Sequence, residues 1–448
     1  MRTKNKMIAL LEIGIVLCSV FLVAIPAIAA EQTTQEVSAS EITTASEDDY
    51  VLGVYGNANE DDTIDMRDLT YVKLIFFGKK PETELADAKY DGKINPLDFI
   101  QIKLIIVGKE KELTLVDSAD RTVTVNKPVE RVVLAYWMDP AMTLQTLKAE
   151  DTVVGVTDVI VDEPILFTEL SALPSVGVVY ELDYEALLGL EPDVVLTGGV
   201  TLDSTVHEEI QDTIESLNPD IVVLRFEYRY PPSYADEVRK LGYIFDRREE
   251  AEEFIDFFEG HLSTIEERVS DIPGDERTRV YFEICAEYIS YWTGGEGTPY
   301  QLQIEMAGGN NIFSDISGYD YAVDPEAVIA RDPEVMFHLV CAGIPTGWHV
   351  DDVTGLRDKR NEIMGRPGFA AVAAVDSGRV YMCSILTSTS LYFVGVPYYA
   401  KWFYPELFED LDPNAIHQEY LTEFLRIDFD LDEHGVFVYH PEQHPDGH

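Results

Sequence analysis

The feature that most constrains the fold lies after residue 113, where short apolar runs alternate with segments of helix length. This alternation is typical of parallel strands joined by helices that cover the sheet. A first set of runs occupies residues 132–135, 153–156, 194–196 and 221–224. A second set occupies residues 280–285, 335–341 and 380–383. The sequence therefore predicts two α/β lobes, each with its own parallel sheet.

One long amphipathic segment separates the two sets of runs. In REEAEEFIDFFEGHLSTIEERV, residues 248–269, apolar side chains recur at positions 254, 257, 258, 262, 265 and 269. This spacing places them on one face of a single helix. We predict a first lobe over 110–246, a connecting helix over 247–271, and a second lobe with its tail over 272–448.

The N-terminus has the pattern of an export signal. Basic residues precede an apolar stretch that ends in Ala27-Ile28-Ala29, a small-x-small cleavage pattern. Residues 1–30 are therefore predicted to be a signal peptide, with an uncleaved membrane anchor as the alternative. Residues 31–49 are rich in Ser, Thr and Glu and contain no aromatic residue, which predicts a disordered linker.

Residues 50–109 contain two copies of one pattern at a spacing of 30 residues. Loops that wrap Ca²⁺ place oxygen ligands at alternating positions and end on a carboxylate. The predicted ligands of the first loop are Asn57, Asn59, Asp61, the Thr63 carbonyl and Asp68. Those of the second loop are Asp87, Asp91, the Lys93 carbonyl and Asp98. We predict bound Ca²⁺, with the first loop as the better match.

Each loop runs into an amphipathic helix, and this tandem arrangement resembles type I dockerins, by which extracellular proteins plug into cohesins. The resemblance implies a small all-α module and a cohesin-domain partner, and a merely structural helix pair is the alternative. Two residues depart from the pattern. Asp62 stands where Gly is expected, and Lys89 puts an ammonium where the second loop needs an oxygen. We expect Lys89 either to turn outward or to fold in as a tethered cation.

Composition excludes several function classes. Lys and Arg number 33 against 82 Asp and Glu, and the net charge of −49 repels phosphate backbones and anionic lipids. Nucleic-acid binding is therefore excluded, and the acidic surface predicts a monomer. The sequence carries no nucleophile elbow, phosphate loop or HExxH helix, so we predict that the protein is not an enzyme. A chelatase, the enzyme alternative, would need a set of His, Cys or carboxylate side chains at the cleft. The candidates for such a set are His338, Cys341 and His349.

Six phrases follow one another along the main domain. They are ERVV at 130–133, DYEALLGLEPDVVL at 183–196, LGYIF at 241–245, GGNNIF at 308–313, DPEAVIARDPEVMF at 324–337 and RPGFAAVAAVDSGRVY at 366–381. In order and spacing they resemble the substrate-binding proteins of ABC importers for iron chelates, haem and corrinoids. The resemblance implies two lobes joined by a rigid helix, and capture of a metal chelate outside the cytoplasmic membrane for delivery to an ABC permease dimer.

Ligands of open parallel sheets sit beyond the carboxyl ends of the strands. The segments that follow the apolar runs are aromatic and carry few charges, which suits a bulky, partly apolar chelate. The predicted ligand-binding residues are Tyr136, Trp137, Met138, Gly198, Phe226, Tyr228, Arg229, Tyr288, Tyr291, Trp292, Trp348 and His349. The rigid helix predicts a cleft that is largely formed before the ligand arrives.

Two alternatives remain from the sequence. Arg225 and Arg229 suggest a molybdate- or tungstate-type oxyanion receptor, and the paired loops suggest a tethered scaffold protein with a vestigial cleft. In the resembling importer family, one surface Glu on each lobe meets the permease, and the matching positions are Glu185 and Glu326.

The remaining cysteines and histidines receive simpler interpretations. Cys285, Cys341 and Cys383 each close an apolar run, and we expect buried thiols, with a soft-metal site as the alternative. The C-terminal histidines 434, 440, 444 and 448 are irregularly spaced, and we expect them in a solvated tail.

Overall fold

The computed structural model describes residues 51–200, 204–320, 322–341, 343–389 and 391–447. The predicted signal and linker lie outside these residues. Within the described ranges no helix combines the length and the apolar character needed to cross a membrane.

The first described region contains two helices, α1 (Met66–Phe76) and α2 (Pro96–Ile106), each of which begins directly after one of the repeated loops. Asp65 caps α1 and Asn95 caps α2, in both cases within a capping box that includes an aspartate, Asp68 or Asp98. Such caps satisfy backbone N–H groups that a helix start otherwise leaves without partners.

This region is bonded to the rest of the chain at several points. The Tyr55 N–H donates to the Thr114 carbonyl at 2.9 Å, and the Val116 N–H donates to the Gly53 carbonyl at 2.7 Å. The Arg248 guanidinium donates to the Ile105 carbonyl at 2.9 Å. Because residues 51–109 share backbone bonds and one apolar cluster with the first lobe, a separate all-α module is not supported.

A two-stranded hairpin follows. Strands β1 (Glu112–Val116) and β2 (Thr122–Asn126) pair antiparallel, with the Thr114 and Thr124 hydroxyls 2.9 Å apart. The buried Lys127 ammonium just beyond β2 contacts Glu110 and Asp246, each at 2.6 Å. These contacts fix the hairpin between the paired-loop region and the end of the first lobe.

The strands of the first lobe are β3 (Val132–Leu134), β4 (Val153–Gly155), β5 (Gly177–Val178), β6 (Glu181–Leu182), β7 (Val194–Gly198) and β8 (Val222–Phe226). Four of them form a parallel sheet with the order β4-β3-β7-β8, and β5 and β6 form a short antiparallel pair. Its helices are α3 (Asp139–Thr146), α4 (Asp158–Val161), α5 (Tyr184–Gly189), α6 (Ser204–Leu217) and α7 (Pro231–Ile244).

The predicted connecting helix is α8 (Arg248–Val269). Its buried face carries Phe254, Phe258 and Ile265, and Phe254 packs against Tyr234 of the first lobe and Phe393 of the second. The apolar spacing of the sequence therefore gives one helix that contacts both lobes.

The strands of the second lobe are β9 (Arg279–Ile284), β10 (Thr293–Gly294), β11 (Asn310–Asn311), β12 (Tyr319–Asp320), β13 (Val335–Val340), β14 (Val380–Ser384) and β15 (Val438–Tyr439). Five of them form a sheet with the order β11-β9-β13-β14-β15, in which the described strands pair parallel except for β15. Its helices are α9 (Pro299–Met306), α10 (Pro325–Arg331), α11 (Thr354–Met364), α12 (Ala373–Asp376), α13 (Tyr392–Phe403) and α14 (Pro413–Glu419). Two α/β lobes with parallel sheets are thus confirmed.

The C-terminal segment is packed rather than solvated, which corrects the expectation for two of its histidines. His440 and His444 are buried: His440 stacks on Tyr381 at 4.6 Å, and the indole N–H of Trp402 donates to His444 Nε2 at 3.2 Å. The cause is β15, which pairs with β14 and brings the tail onto the sheet. His434 is exposed, as expected, and residue 448 lies outside the described part of the chain.

Candidate functional site

A small cavity of about 20 Å³ lies between the lobes. The first lobe lines it with Tyr136, Glu227, Arg229 and Tyr230, and the second lobe lines it with Pro299, Tyr300, Tyr319, Ser388 and Thr389. A cavity of this size holds roughly one water molecule. The two lobes therefore meet closely around the site.

Most of the lining follows the carboxyl ends of parallel strands. Tyr136 comes shortly after β3, Glu227 and Arg229 follow β8, and Ser388 and Thr389 lie in the turn after β14. This is where open parallel sheets place their ligands. In α13, Gly395 permits the close approach of this turn, because a side chain at Gly395 would collide with the Thr387 carbonyl.

The Arg229 guanidinium forms a bidentate ion pair with Asp139. Nε lies 2.9 Å from Oδ1 and Nη2 lies 2.7 Å from Oδ2, and the guanidinium also sits 5.5 Å from the centre of the Tyr136 ring. Burial alone would lower the pKa of Arg229, but the Asp139 carboxylate outweighs burial and the pKa is raised. The arginine therefore stays charged, and its charge is matched within the first lobe.

The Glu227 carboxylate is the second charged group that lines the cavity. It accepts a hydrogen bond from the Val200 N–H, and a side chain at Gly199 would collide with it. Behind it lies the buried Glu237, which accepts from the Ser118 hydroxyl. Burial raises the pKa of Glu237 to about 8, so this carboxyl is largely protonated at neutral pH.

Arg225 serves the structure of the first lobe rather than the cavity. It is buried, and its guanidinium donates to the carbonyls of Gly198 at 3.2 Å and Gly199 at 2.6 Å and to the Ser204 carbonyl at 3.2 Å. These bonds tie the turn after β7 to the start of α6. Both arginines of the oxyanion hypothesis thus already have polar partners.

The structure brings Tyr136 and Arg229 to the cavity and places other predicted ligand residues nearby. Trp137 is half-buried with its ring edge-on to Tyr180 at 5.8 Å, and Trp292 packs against the cavity residue Tyr319 at 6.3 Å. Tyr288, at 66% exposure, lies on the surface of the second lobe.

Seven further predicted residues occupy other positions. His349 extends across the lobe boundary, where its Nε2 lies 2.9 Å from Glu163 Oε2. Gly198 is closely packed beside Tyr136 and His207. The residues that belong to the hydrophobic clusters are Met138, Phe226, Tyr228, Tyr291 and Trp348.

Several cavity residues are absent from the prediction from sequence. Glu227 is one. It lies beside the predicted Arg229 in the turn that follows β8, whereas Phe226 and Tyr228 belong to the core. Tyr300 is another. It follows Thr298 and Pro299, whose capping pattern marks where a helix begins but does not show that the helix start faces the cavity.

The expectation of a largely preformed cleft stays a prediction. Pockets for drug-sized ligands measure about 300–1,000 Å³, whereas this cavity measures about 20 Å³. Tyrosines from both lobes line this cavity, and the His349–Glu163 bridge joins the two lobes.

The expectation of three buried thiols is also corrected. Cys285 and Cys341 form a disulfide, and Cys383 is a free, buried cysteine. Cys285 and Cys341 follow the neighbouring strands β9 and β13, and the Cys285 N–H donates to the Leu339 carbonyl at 2.8 Å, which brings the two strand ends together. A structural disulfide is typical of proteins outside the reducing cytoplasm.

The first repeated loop offers several oxygen atoms to a cation. The Asp68 carboxylate is fully buried and accepts from the N–H groups of Asn59 and Asp65, and Asn59 Oδ1 is a buried acceptor without a hydrogen-bond partner. Burial raises the pKa of Asp68 to about 7. The Arg67 guanidinium lies 3.0 Å from Asp61, so one ligand also has an ion-pair partner. The donor set fits Ca²⁺ in chemistry.

The second loop fits a cation less well. The Asp87 carboxylate accepts from the N–H groups of Asp91 and Gly92, and Lys89 turns outward to Glu112 at 3.1 Å. Lys89 is therefore not a tethered cation within the loop. Across the described ranges, no three His, Cys, Asp or Glu side chains are grouped closely enough to hold a metal.

The two proposed docking glutamates occupy matching positions. Glu185 is exposed in the first turn of α5, which leads into β7, and Glu326 is exposed in the first turn of α10, which leads into β13. Asp183 and Asp324 cap these helices. The lobes thus present one exposed carboxylate each at equivalent places.

Comparisons with known proteins agree with this architecture. A family model described as "Periplasmic binding protein" matches residues 133–384. The chain is 22% identical over 346 residues to the molybdate-binding protein MolA of Haemophilus influenzae, covering 70% of this chain and 92% of that protein. It is 27% identical over 228 residues to a cobalamin-binding protein of Halobacterium salinarum, covering 49% of this chain and 56% of that protein.

A solved structure shares the fold. The TroA-like periplasmic binding protein FepB of Veillonella parvula superposes with a TM-score of 0.61 at 23% identity, covering 73% of this chain and 99% of that one.

Proposed function

Because the chain belongs to the periplasmic binding protein family, we propose that it captures a metal chelate outside the cytoplasm and delivers it to an ABC permease. Proteins of this family bind small-molecule ligands and work with ABC transporter permeases; they are transport proteins rather than enzymes. The chelate, an iron siderophore, haem or a corrinoid, is the proposed part of this function.

The observation that carries the proposal is the lining of the cavity by both lobes. Four tyrosines surround it, Tyr136 and Tyr230 from one side and Tyr300 and Tyr319 from the other. Aromatic rings with hydroxyl tips bury and stack on an organic ligand shell while they offer hydrogen bonds at its edge. A chelate between the lobes would therefore meet ring faces on both sides. The similarity to a cobalamin-binding protein supports this choice.

Admission of such a ligand requires the lobes to separate. A chelate is far larger than the cavity of about 20 Å³. Since α8 is the long helix that contacts both lobes, we propose that it carries the hinge, and that the His349–Glu163 bridge opens as the lobes part. The observed conformation then corresponds to closed lobes.

The oxyanion alternative has weaker support in the site. It rests on Arg225 and Arg229, and the first donates to backbone carbonyls while the second is paired with Asp139. A free oxyanion needs convergent donors that have no other anionic partner. The similarity to MolA extends over most of that protein but does not supply such donors.

The ligand class is tested by a thermal-shift screen of the purified chain. A chelate at 100-fold excess over its dissociation constant adds about 2.7 kcal/mol to stability. We expect a ferric siderophore, haem or corrinoid to raise the melting temperature and molybdate to leave it unchanged. A shift with molybdate alone would favour the oxyanion function instead.

We further propose that the first loop binds Ca²⁺ through Asn57, Asn59, Asp61, the Thr63 carbonyl and Asp68. Bound Ca²⁺ would neutralise the buried Asp68 carboxylate and stiffen the loop. Calorimetric titration of the full chain is expected to show one site that Asp68→Asn removes and Asp98→Asn leaves. Two equal sites would contradict this assignment.

The exposed apolar side chains beside the loops support a protein partner of the cohesin type. Met66 is 65% exposed at the start of α1, and Leu97 is 51% exposed at the start of α2. A pull-down with a purified cohesin domain is expected to lose its signal in a Met66→Glu, Leu97→Glu variant. A signal that is unchanged in this variant would argue against contact through this face.

The permease contact is assigned to Glu185 and Glu326. Paired exposed carboxylates on two lobes guide association and fix its register. Glu185→Lys with Glu326→Lys should abolish transport in a reconstituted system and leave chelate affinity unchanged. Loss of affinity would refute the docking role.

A further inference from the structure

The peptide group between Thr63 and Ile64 ties the first repeated loop to the first lobe through Tyr243. This inference rests on the proposed function, both for chelate capture and for Ca²⁺ in the first loop. We propose that Tyr243 is a positioning residue that couples these two sites. Bound Ca²⁺ then strengthens chelate binding, and a bound chelate strengthens Ca²⁺ binding by the same factor.

Tyr243 contacts the loop at a peptide group that carries a proposed ligand. Its hydroxyl accepts a hydrogen bond from the Ile64 N–H at 2.8 Å and lies 3.4 Å from the Thr63 hydroxyl oxygen. The Ile64 N–H belongs to the same peptide group as the Thr63 carbonyl, which is a proposed Ca²⁺ ligand. A hydrogen bond at the N–H polarises this peptide group and fixes its plane, so it orients the carbonyl towards a cation. Tyr243 is 5% exposed, and the bond is shielded from water.

The second loop uses its matching carbonyl differently. The Lys93 carbonyl accepts from the side-chain amide of Asn95 at 3.0 Å, and this bond is exposed and lies within the loop. The Tyr243–Ile64 bond instead joins residues that are 179 positions apart. The first loop is therefore the one that this peptide group ties to the first lobe.

Asp62 makes a second connection between the first loop and the lobe. Where the calcium pattern expects Gly, this chain has a carboxylate that interacts with Arg239 of α7. Arg239 in turn pairs with Glu252 of α8 at 3.1 Å. Both partners line one groove of about 300 Å³ together with Thr63 and Tyr243. The loop, the end of α7 and the start of α8 thus meet at one place.

Helix α7 extends from this place to the cavity between the lobes. Tyr243 lies in its last turn, and Tyr230, which lines the cavity, is the N-cap at its other end. A helix of 14 residues is a rigid element about 21 Å long, so a displacement of one end moves the other. The Arg248 guanidinium at the start of α8 also donates to the Ile105 carbonyl at 2.9 Å. The paired-loop region therefore holds the joint from which the connecting helix begins.

The direction of the coupling follows from the observed conformation. The proposed function assigns it to closed lobes, and the hydrogen bond between Tyr243 and Ile64 is formed in it. Because Ca²⁺ would stiffen the loop that makes this bond, it would stabilise the joint in the arrangement that closes the lobes. A chelate held between closed lobes favours the same arrangement. Two ligands that favour one conformation strengthen each other.

The test measures each affinity with and without the other ligand. The chelate probe is whichever of a ferric trihydroxamate, haemin and cyanocobalamin gives the largest thermal shift. It is titrated by calorimetry into the full chain in calcium-free buffer and with saturating CaCl₂. We expect Ca²⁺ to tighten chelate binding at least about fivefold, and the chelate to tighten Ca²⁺ binding equally. Mg²⁺ at the same concentration controls for charge screening, because Mg²⁺ demands a stricter geometry and gives up its waters reluctantly.

The variant Tyr243→Phe removes the hydroxyl and keeps the ring, over which the Arg248 guanidinium lies at 5.2 Å. The mutual effect of the two ligands should fall below about twofold, while chelate affinity in calcium-free buffer stays that of the wild type. Tyr55→Phe is the matched control, since it removes a buried hydroxyl that donates to Glu84 at 2.8 Å, and it should leave the coupling intact. Asp62→Asn keeps every proposed ligand and should weaken the coupling. Melting curves check that each variant is folded.

The outcomes separate this inference from the proposed function. If both ligands bind but neither changes the affinity of the other, or if Ca²⁺ weakens chelate binding, the coupling is overturned and chelate capture stands. Coupling that Tyr243→Phe does not reduce would overturn the role of Tyr243. Absence of Ca²⁺ binding would overturn the calcium site and the coupling together. Failure of all three chelates to bind would overturn chelate capture as well.

Discussion

The two lobes have the same architecture but contribute differently to the cavity. The first lobe supplies Glu227 and the Arg229–Asp139 pair, whereas the second supplies tyrosines, hydroxyls and a proline. The second lobe has its own buried ion pair, in which Arg366 lies 2.6 Å from Glu283, but this pair lies among Tyr291 and Phe369 and not at the cavity. The difference teaches that the charged side chains of the described lining come from one lobe, while the other lobe supplies uncharged side chains.

The two buried ion pairs allow this division to be tested directly. Arg229→Met and Arg366→Met each remove the arginine of a buried ion pair, which costs about 3–5 kcal/mol. We expect similar losses of stability in chemical denaturation, but a changed chelate affinity in Arg229→Met alone. An equal change in affinity for Arg366→Met would break the distinction between the lobes.

The disulfide is a second difference, since the described part of the first lobe contains no cysteine. It closes a loop with a sequence separation of 56 residues, and removal of such a bridge costs about 2–4 kcal/mol. We expect Cys285→Ser with Cys341→Ser to lower the melting temperature, as a reducing agent does for the wild type. If neither treatment changes the melting temperature, the bridge is not formed in solution.

The buried Glu237, which lies next to Glu227, predicts that the stability of the first lobe depends on pH. Its pKa is raised from the ordinary 4.5 to about 8, so the folded state binds this proton more tightly than the unfolded state does. Its contribution to stability is therefore present at low pH and is lost as pH rises from about 4.5 to about 8.

Replacement of Glu237 by Gln should remove this loss. The difference in unfolding free energy between Glu237→Gln and the wild type should grow by about 1 kcal/mol per pH unit across that range. Glu130→Gln, at an exposed position, serves as the control. A difference that does not depend on pH would show that Glu237 is not held protonated.

The bridge between the lobes is expected to have the smallest effect. His349 and Glu163 are partly exposed, with side-chain exposures of 43% and 24%, and such pairs contribute about 0–1 kcal/mol. Glu163→Gln should therefore leave stability nearly unchanged and increase the chelate association rate slightly, because the lobes open more readily. A slower association in stopped-flow measurements would contradict a role in holding the lobes closed.

Particular residues show what the sequence was able to predict. The helix over 248–269 was predictable because its apolar spacing is regular, and the strands because their apolar runs are continuous. Tyr136 and Arg229 were predicted from their places shortly after β3 and β8.

Other features depend on contacts between distant segments. Tyr319 reaches the cavity through the pairing of β10 with β12, and the disulfide requires β9 to lie beside β13. Neither pairing can be predicted from the sequence of one segment. Burial of the histidines at 440 and 444 likewise depends on the return of β15 to the sheet. Strand order and long-range pairing therefore mark the limit of the prediction.

The central claim is that cargo binds between the lobes. The most direct measurement is a calorimetric titration with the chelate that gives the largest thermal shift. It is made on the wild type and on Thr389→Trp, which fills the cavity with a side chain of the second lobe. The account predicts one site in the wild type and loss of binding in a variant whose melting curve remains cooperative. Unchanged affinity in that variant would contradict it.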